Sequence, residues 1–146
     1  METWCVGDLG KKGTWRIGEL NKYRYWKKYG LIRIYQASFE AGMEVFRISR
    51  TFPREEVYSL TDQIRRSSRS VSGNLAEAWR KRRYSKSFVS KLSDVEGEAA
   101  ETQVWLDYAL ACDYISEEQH APLFKKYDSI LGMTVTMITN HDKWTL

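Results

Sequence analysis

Apolar residues recur at alternating steps of three and four along most of this chain, the spacing of one helix face after another. From Leu31 the series Leu31, Tyr35, Ser38, Ala41, Val45, Ile48 and Phe52 predicts a first helix, closed by Thr51-Phe52-Pro53. A second helix is predicted from Pro53 to Arg83, with Val57, Leu60, Ile64, Ser67 or Ser68, Val71, Leu75 and Ala78 on a near-heptad seam. Pro53 suits its first turn, and Glu55 and Glu56 suit its positive end. Gly73 weakens the seam by about 1 kcal/mol relative to Ala without breaking its period. Tyr84-Ser85-Lys86-Ser87 reads as a turn with Ser85 or Ser87 as cap. The third helix follows to about Asp113, on Phe88, Leu92, Val95, Ala99, Thr102, Leu106 and Ala109. Ser116-Glu117-Glu118-Gln119 has the form of a capping box that opens a fourth helix, which Pro122 is expected to kink or restart. Leu123, Tyr127, Ile130, Leu131, Met137 and Ile138 supply its apolar face.

Four helices with short connections and no required strand predict an all-α protein, an antiparallel up-down-up-down four-helix bundle over residues 30–146. Residues 1–29 break the pattern. They hold Gly7, Gly10, Gly13 and Gly18 and seven Lys or Arg without clear periodicity, and are read as an irregular, poorly ordered or loosely docked N-terminal extension. At 146 residues and 42% hydrophobic the composition is that of one globular domain. No apolar run approaches the ~20 residues of a membrane span, and the N-terminus lacks the apolar core of a signal peptide. The default location is cytoplasmic. Cys5 and Cys112 form no metal or redox motif, and Cys112, continuing an apolar helix, is expected to be a small buried hydrophobe.

Charge changes the picture more than composition does. Residues 62–91 carry nine Arg or Lys against two acids, while residues 92–118 carry eight acids and no Lys or Arg. At 100° per residue, Ile64, Val71, Leu75 and Ala78 share one line; Arg66, Arg69 and Arg80 fall opposite, flanked by Arg65 and Arg83. With Lys81 and Arg82, this makes a basic outer face. Arginine forks match phosphate, so the face is a candidate nucleic-acid footprint. The same arginines also suit an ordinary solvated face, or pairs between Arg65 or Arg66 and Glu96, Glu98 or Glu101 of the next helix. On the third helix Val104, Trp105 and Tyr108 point away from the core line, with Gly97 on the same side. That patch fits an oligomer interface; equally, Trp105 could cover a helix edge within its own chain.

Catalytic chemistry finds little support. Glu117-x-x-His120 has di-metal spacing but no second pair, and both acids there serve a helix start. Glu98-x-x-Glu101 would suit a metal-dependent nucleotide hydrolase, but no facing helix supplies a matching pair of acids. The many serines have no Ser-His-Asp order, and Ser67 and Ser68 read as small residues that let helices approach. No cofactor or metal is expected.

Several blocks carry a resemblance. Phe52-Pro53-Arg54-Glu55-Glu56, Leu60-Thr61-Asp62-Gln63-Ile64-Arg65-Arg66-Ser67, the run Ser70 to Ala78 (SVSGNLAEA) and Glu101-Thr102-Gln103 resemble the bacterial four-helix bundle proteins encoded in intervening sequences of 23S ribosomal RNA genes. The match covers about residues 22–140, and accessory proteins of diversity-generating retroelements are similar in fold. The family commonly has Pro where Ser72 stands and Gly where Ala78 stands, which predicts a straighter second helix here. The resemblance implies a homopentamer without established catalytic activity. It also implies a role in binding RNA, or a reverse transcriptase with its RNA.

Overall fold

The computed structural model describes residues 31–146; the predicted extension over 1–29 lies outside the described residues. Four α-helices follow one another: α1 (Leu31–Ser49), α2 (Leu60–Lys81), α3 (Ser85–Ala111) and α4 (Glu117–Thr139). There is no strand among the described residues, and none of their helices is long and apolar enough to cross a membrane. Each helix packs on its sequence neighbours, and α4 returns to α1, closing the ring of an up-down-up-down bundle.

The core is built from the predicted seams. Ile64, Val71, Leu75 and Ala78 of α2 are fully buried, as are Phe88, Leu92, Val95, Ala99, Leu106 and Ala109 of α3. α1 adds Ile34, Ala41 and Val45; α4 adds Leu123, Tyr127, Ile130 and Met137. Small hydroxyl residues sit where α2 meets its neighbours. Ser67 and Ser68 are each 1% exposed. Ser38 Oγ of α1 lies 3.0 Å from Ser72 Oγ, and Thr102 Oγ1 of α3 donates to Ser67 Oγ at 2.9 Å. A Cβ on Gly42 would stand 3.6 Å from the Ser68 carbonyl, so α1 and α2 approach closely here. Burial drives the Tyr127 phenol pKa well up, and its hydroxyl sits in this layer without a well-formed hydrogen bond.

The connections depart from expectation in instructive ways. The second helix does not begin at Pro53. Pro53 is extended, Arg54–Glu56 forms a single 3-10 turn, and Ser59, at φ −126° and ψ −107°, breaks the path before Leu60. The Glu56 carboxylate accepts from the Leu60 N–H at 3.1 Å, so it caps a helix four residues further on rather than opening its own. Val57 is consequently 45% exposed and not part of the seam. At the start of α3 the N-cap is Tyr84, with no side-chain cap bond; Ser85 Oγ instead meets His141 Nδ1 at 2.9 Å. Cys112 is exposed, because α3 ends there in a Schellman turn. Asp113 takes φ 59°, its N–H donates to the Leu110 carbonyl, and that of Tyr114 to the Ala109 carbonyl. The Ser116–Gln119 capping box forms as expected. Pro122 does not restart α4, whose run of buried residues from Leu123 to Met137 carries the helix through it.

Candidate nucleic-acid interface

The outer face of α2 carries the predicted arginines in two groups. Arg65, Arg66 and Arg69 stand near its start, and Arg80, Lys81, Arg82 and Arg83 at and just past its end. Arg80 stands fourteen positions beyond Arg66, about 21 Å along the helix axis.

At the first group the guanidinium groups of Arg65 and Arg69 are held by neutral partners. Arg65 Nε donates to Ser49 Oγ at 2.8 Å, and Ser49 is 2% exposed at the end of α1. The Arg65 and Arg69 guanidinium carbons lie 5.1 and 5.9 Å from the centre of the Phe46 ring, within cation–π range. Arg66 and Arg69 are exposed. Among the described residues none of the three reaches ion-pair distance of a carboxylate, so the pairs considered with Glu96, Glu98 and Glu101 do not form. The Glu98 carboxyl pKa is pushed up by partial burial and by Glu101, with Arg66 only partly opposing. These arginines line a cleft of about 290 Å³ with Arg50, Thr61 and Asp62. Phe52 and Val57 give it an apolar wall. The Arg65 pKa is drawn down, first by burial and then by the like charges of Arg69 and Arg50. Positive charge here is concentrated, four guanidinium groups sharing the cleft with the one carboxylate of Asp62.

The second group is more self-contained. Arg82 folds back over Trp79, its guanidinium carbon 4.1 Å from the ring centre and Nη1 donating to the Trp79 carbonyl at 2.8 Å. Lys81 lies 3.9 Å from Glu77. Arg80 and Arg83 are exposed. A second cleft of about 290 Å³ opens between Lys81, Lys86, Lys91 and Asp94. Within it Lys91 is bound between Glu77 at 3.0 Å and Asp94 at 3.2 Å, contacts that raise its pKa.

On α3, Val104 and Tyr108 are 48% and 56% exposed. Trp105 is half-buried rather than turned fully outward. It packs on the core edge and on Tyr108, ring centres 5.8 Å apart, and its Nε1 donates to Glu101. Gly97 lies exposed on the same helix, with open space where a methyl group would stand. His120 is taken up by Asp107, Nε2 to Oδ1 2.8 Å, and no group of three or more metal-ligating side chains occurs among the described residues.

Reading the sequence alone misses Arg50, Phe46 and Thr61. The available signal was topological: in an antiparallel hairpin the last turn of one helix faces the first turns of the next, which sets Phe46 to Arg50 beside Thr61 to Arg69.

A family model described as 23S rRNA-intervening sequence protein matches residues 31–136. The chain is also similar to the crystal structure of a protein with unknown function from the S23 ribosomal protein family from Bacteroides thetaiotaomicron. The two are 24% identical with a TM-score of 0.67, over 73% of this chain and 99% of that one. At that identity the likeness bears on the fold alone. Curated proteins yield no match.

Proposed function

The chain belongs to the 23S rRNA-intervening sequence protein family, and from this premise we propose that it is a non-enzymatic, oligomeric bundle that binds RNA through the outer face of α2. Neither matching description names an enzymatic activity. The observation that carries the reading is the lack of ion pairing: Arg65 meets a serine and a phenylalanine ring, Arg69 meets the same ring, and among the described residues none of Arg65, Arg66 and Arg69 pairs with a carboxylate. Binding of this kind is mostly phosphate-directed and weakly sequence-specific, so it falls steeply with salt. RNA titrations at two ionic strengths, on the wild type and on a triple Arg66→Glu, Arg69→Glu, Arg80→Glu variant, test it. Weak salt dependence, or unchanged affinity in the variant, removes it.

A second reading rests on the exposed Val104–Tyr108 patch and its half-buried Trp105. Here the patch joins copies into a ring, a homopentamer by family likeness, and protein contacts replace RNA as the main role. Light scattering on the wild type and on Trp105→Ala and Tyr108→Ala variants separates the cases. A wild-type monomer excludes the ring.

A further inference from the structure

The arginine-lined cleft has more structure than a general basic surface requires. Its walls come from two segments: Ser49 and Arg50 where α1 ends and the connection begins, with Phe52 and Val57 further along it, and Thr61, Asp62, Arg65, Arg66 and Arg69 from the first turns of α2. Formal charge in the cleft is four guanidinium groups against the single carboxylate of Asp62. Arg65 is set in place by Ser49 and Phe46, which occupy its Nε and one face and leave its terminal nitrogens for a ligand. The cleft also lies at the positive end of α2. An independent observation points to a ligand acceptor. Thr61 lines this wall and is 6% exposed, and its Oγ1, buried behind the surface, has no hydrogen-bond partner among the described residues. Buried hydroxyls are normally satisfied, so an unpartnered one beside a polar cleft is a spare donor that a turn of the Thr61 side chain brings to an acceptor oxygen.

We infer that this cleft binds a phosphate monoester, the terminal phosphate of an RNA strand or of a free nucleotide. A monoester carries a charge of about −1.5 to −2 at neutral pH and presents three acceptor oxygens. It therefore matches several guanidinium forks and a hydroxyl at once, where an internal phosphodiester brings one charge and a chain leaving on both sides. A cleft of about 290 Å³ is at the small end of ligand sites and has room for a phosphate group and part of the nucleoside that carries it. Asp62 opposes the ligand and limits its affinity. The RNA source rests on the function proposed above; the phosphate chemistry rests on the cleft itself.

The test uses the full chain and one single-stranded RNA in three forms: 5′-phosphorylated, 3′-phosphorylated, and hydroxyl at both ends. Inorganic phosphate and AMP serve as separate probes. A terminal phosphate is expected to tighten binding about tenfold. That ratio should fall to about one in Arg50→Gln and in Thr61→Val, and rise in Asp62→Asn. Thr61→Val removes only an unpartnered hydroxyl and keeps the side-chain shape, so a folded variant is expected. Equal affinity for all three RNAs, or a ratio indifferent to Arg50→Gln and Thr61→Val, overturns the cleft assignment while leaving RNA binding by α2 in place. RNA that fails to bind in any form, beside AMP or phosphate that binds the wild type and not Arg50→Gln, has the opposite meaning: the cleft stands and the RNA reading falls. Binding of no probe sinks both.

Discussion

Two clefts of equal volume lie toward opposite ends of α2, both lined by cations, and they differ in how the charge is met. At the far end Lys91 is clasped by Glu77 and Asp94, and Lys81 leans toward Glu77. Arg82 covers Trp79 and bonds its carbonyl. Basic groups there also complement the negative end of the helix. At the near end the arginines gain nothing from the helix dipole, and among the described residues none of Arg65, Arg66 and Arg69 reaches ion-pair distance of a carboxylate. Arg65 and Arg69 are held instead by a ring and, for Arg65, a hydroxyl, which fix direction without cancelling charge. Similar residue types thus do different work: one end uses cations to finish the fold, and the other keeps them available.

That contrast can be broken most directly by charge reversal. Arg66→Glu with Arg69→Glu is expected to weaken RNA binding at low salt by about a hundredfold, against about tenfold for Arg80→Glu with Arg83→Glu. Equal losses in fluorescence anisotropy titrations would erase the distinction between the ends. Next in size is a crossed pair of truncations. Arg82→Ala should cost about 1–2 kcal/mol of stability through the lost cation–π and carbonyl contacts, seen as a lowered Tm. Arg66→Ala should leave the unfolding free energy within about 0.5 kcal/mol of the wild type while weakening RNA binding. Gly73 lies between the two groups, exposed, with nothing within 4 Å of an added methyl. Gly73→Ala should therefore stabilise the protomer by about 1 kcal/mol in thermal denaturation. Weaker RNA binding by that stabler variant would mean that a partner's backbone passes close over the middle of α2.

The smallest effect concerns the junction beside the near cleft. Bonds from Ser59, the Leu60 N–H and Tyr114 hold the Glu56 carboxyl below its ordinary pKa. A lowered folded value means that its contribution is complete above pH 4.5, the ordinary value, and is lost as pH falls through the folded one. Tm measured across acid pH should show this fall in the wild type and a shallower one in Glu56→Gln. Identical profiles would remove Glu56 from the account of why α2 starts at Leu60.

Much of the bundle was legible in the sequence because helical spacing is a direct imprint of a buried face. Ile64, Val71, Leu75 and Ala78 all emerge at 0% exposure, and the Ser116–Gln119 box closes as its residue types require. Local competition was harder to see. Glu56 could cap a helix starting at Pro53 or one starting at Leu60, and spacing does not choose between them. Cys112 looked like another core position until the Asp113 turn carried it out to solvent. Of the site, the arginine stripe could be read from one helix. The cleft could not, since Arg50 and Thr61 meet in it, and Phe46 comes to lie against Arg65, only when two helices fold back on each other.

The paired hydroxyls at Ser38–Ser72 and Ser67–Thr102 have a mechanical consequence. Greasy seams with heptad-like spacing tolerate slippage by a turn, about 5.4 Å, because one aliphatic contact replaces another. Directional bonds to α1 on one flank and α3 on the other do not, so α2 is keyed along its axis like a bolt seated in two notches. Whatever docks against its guanidinium groups must be accommodated by rotating side chains, since the rod beneath them is not free to travel.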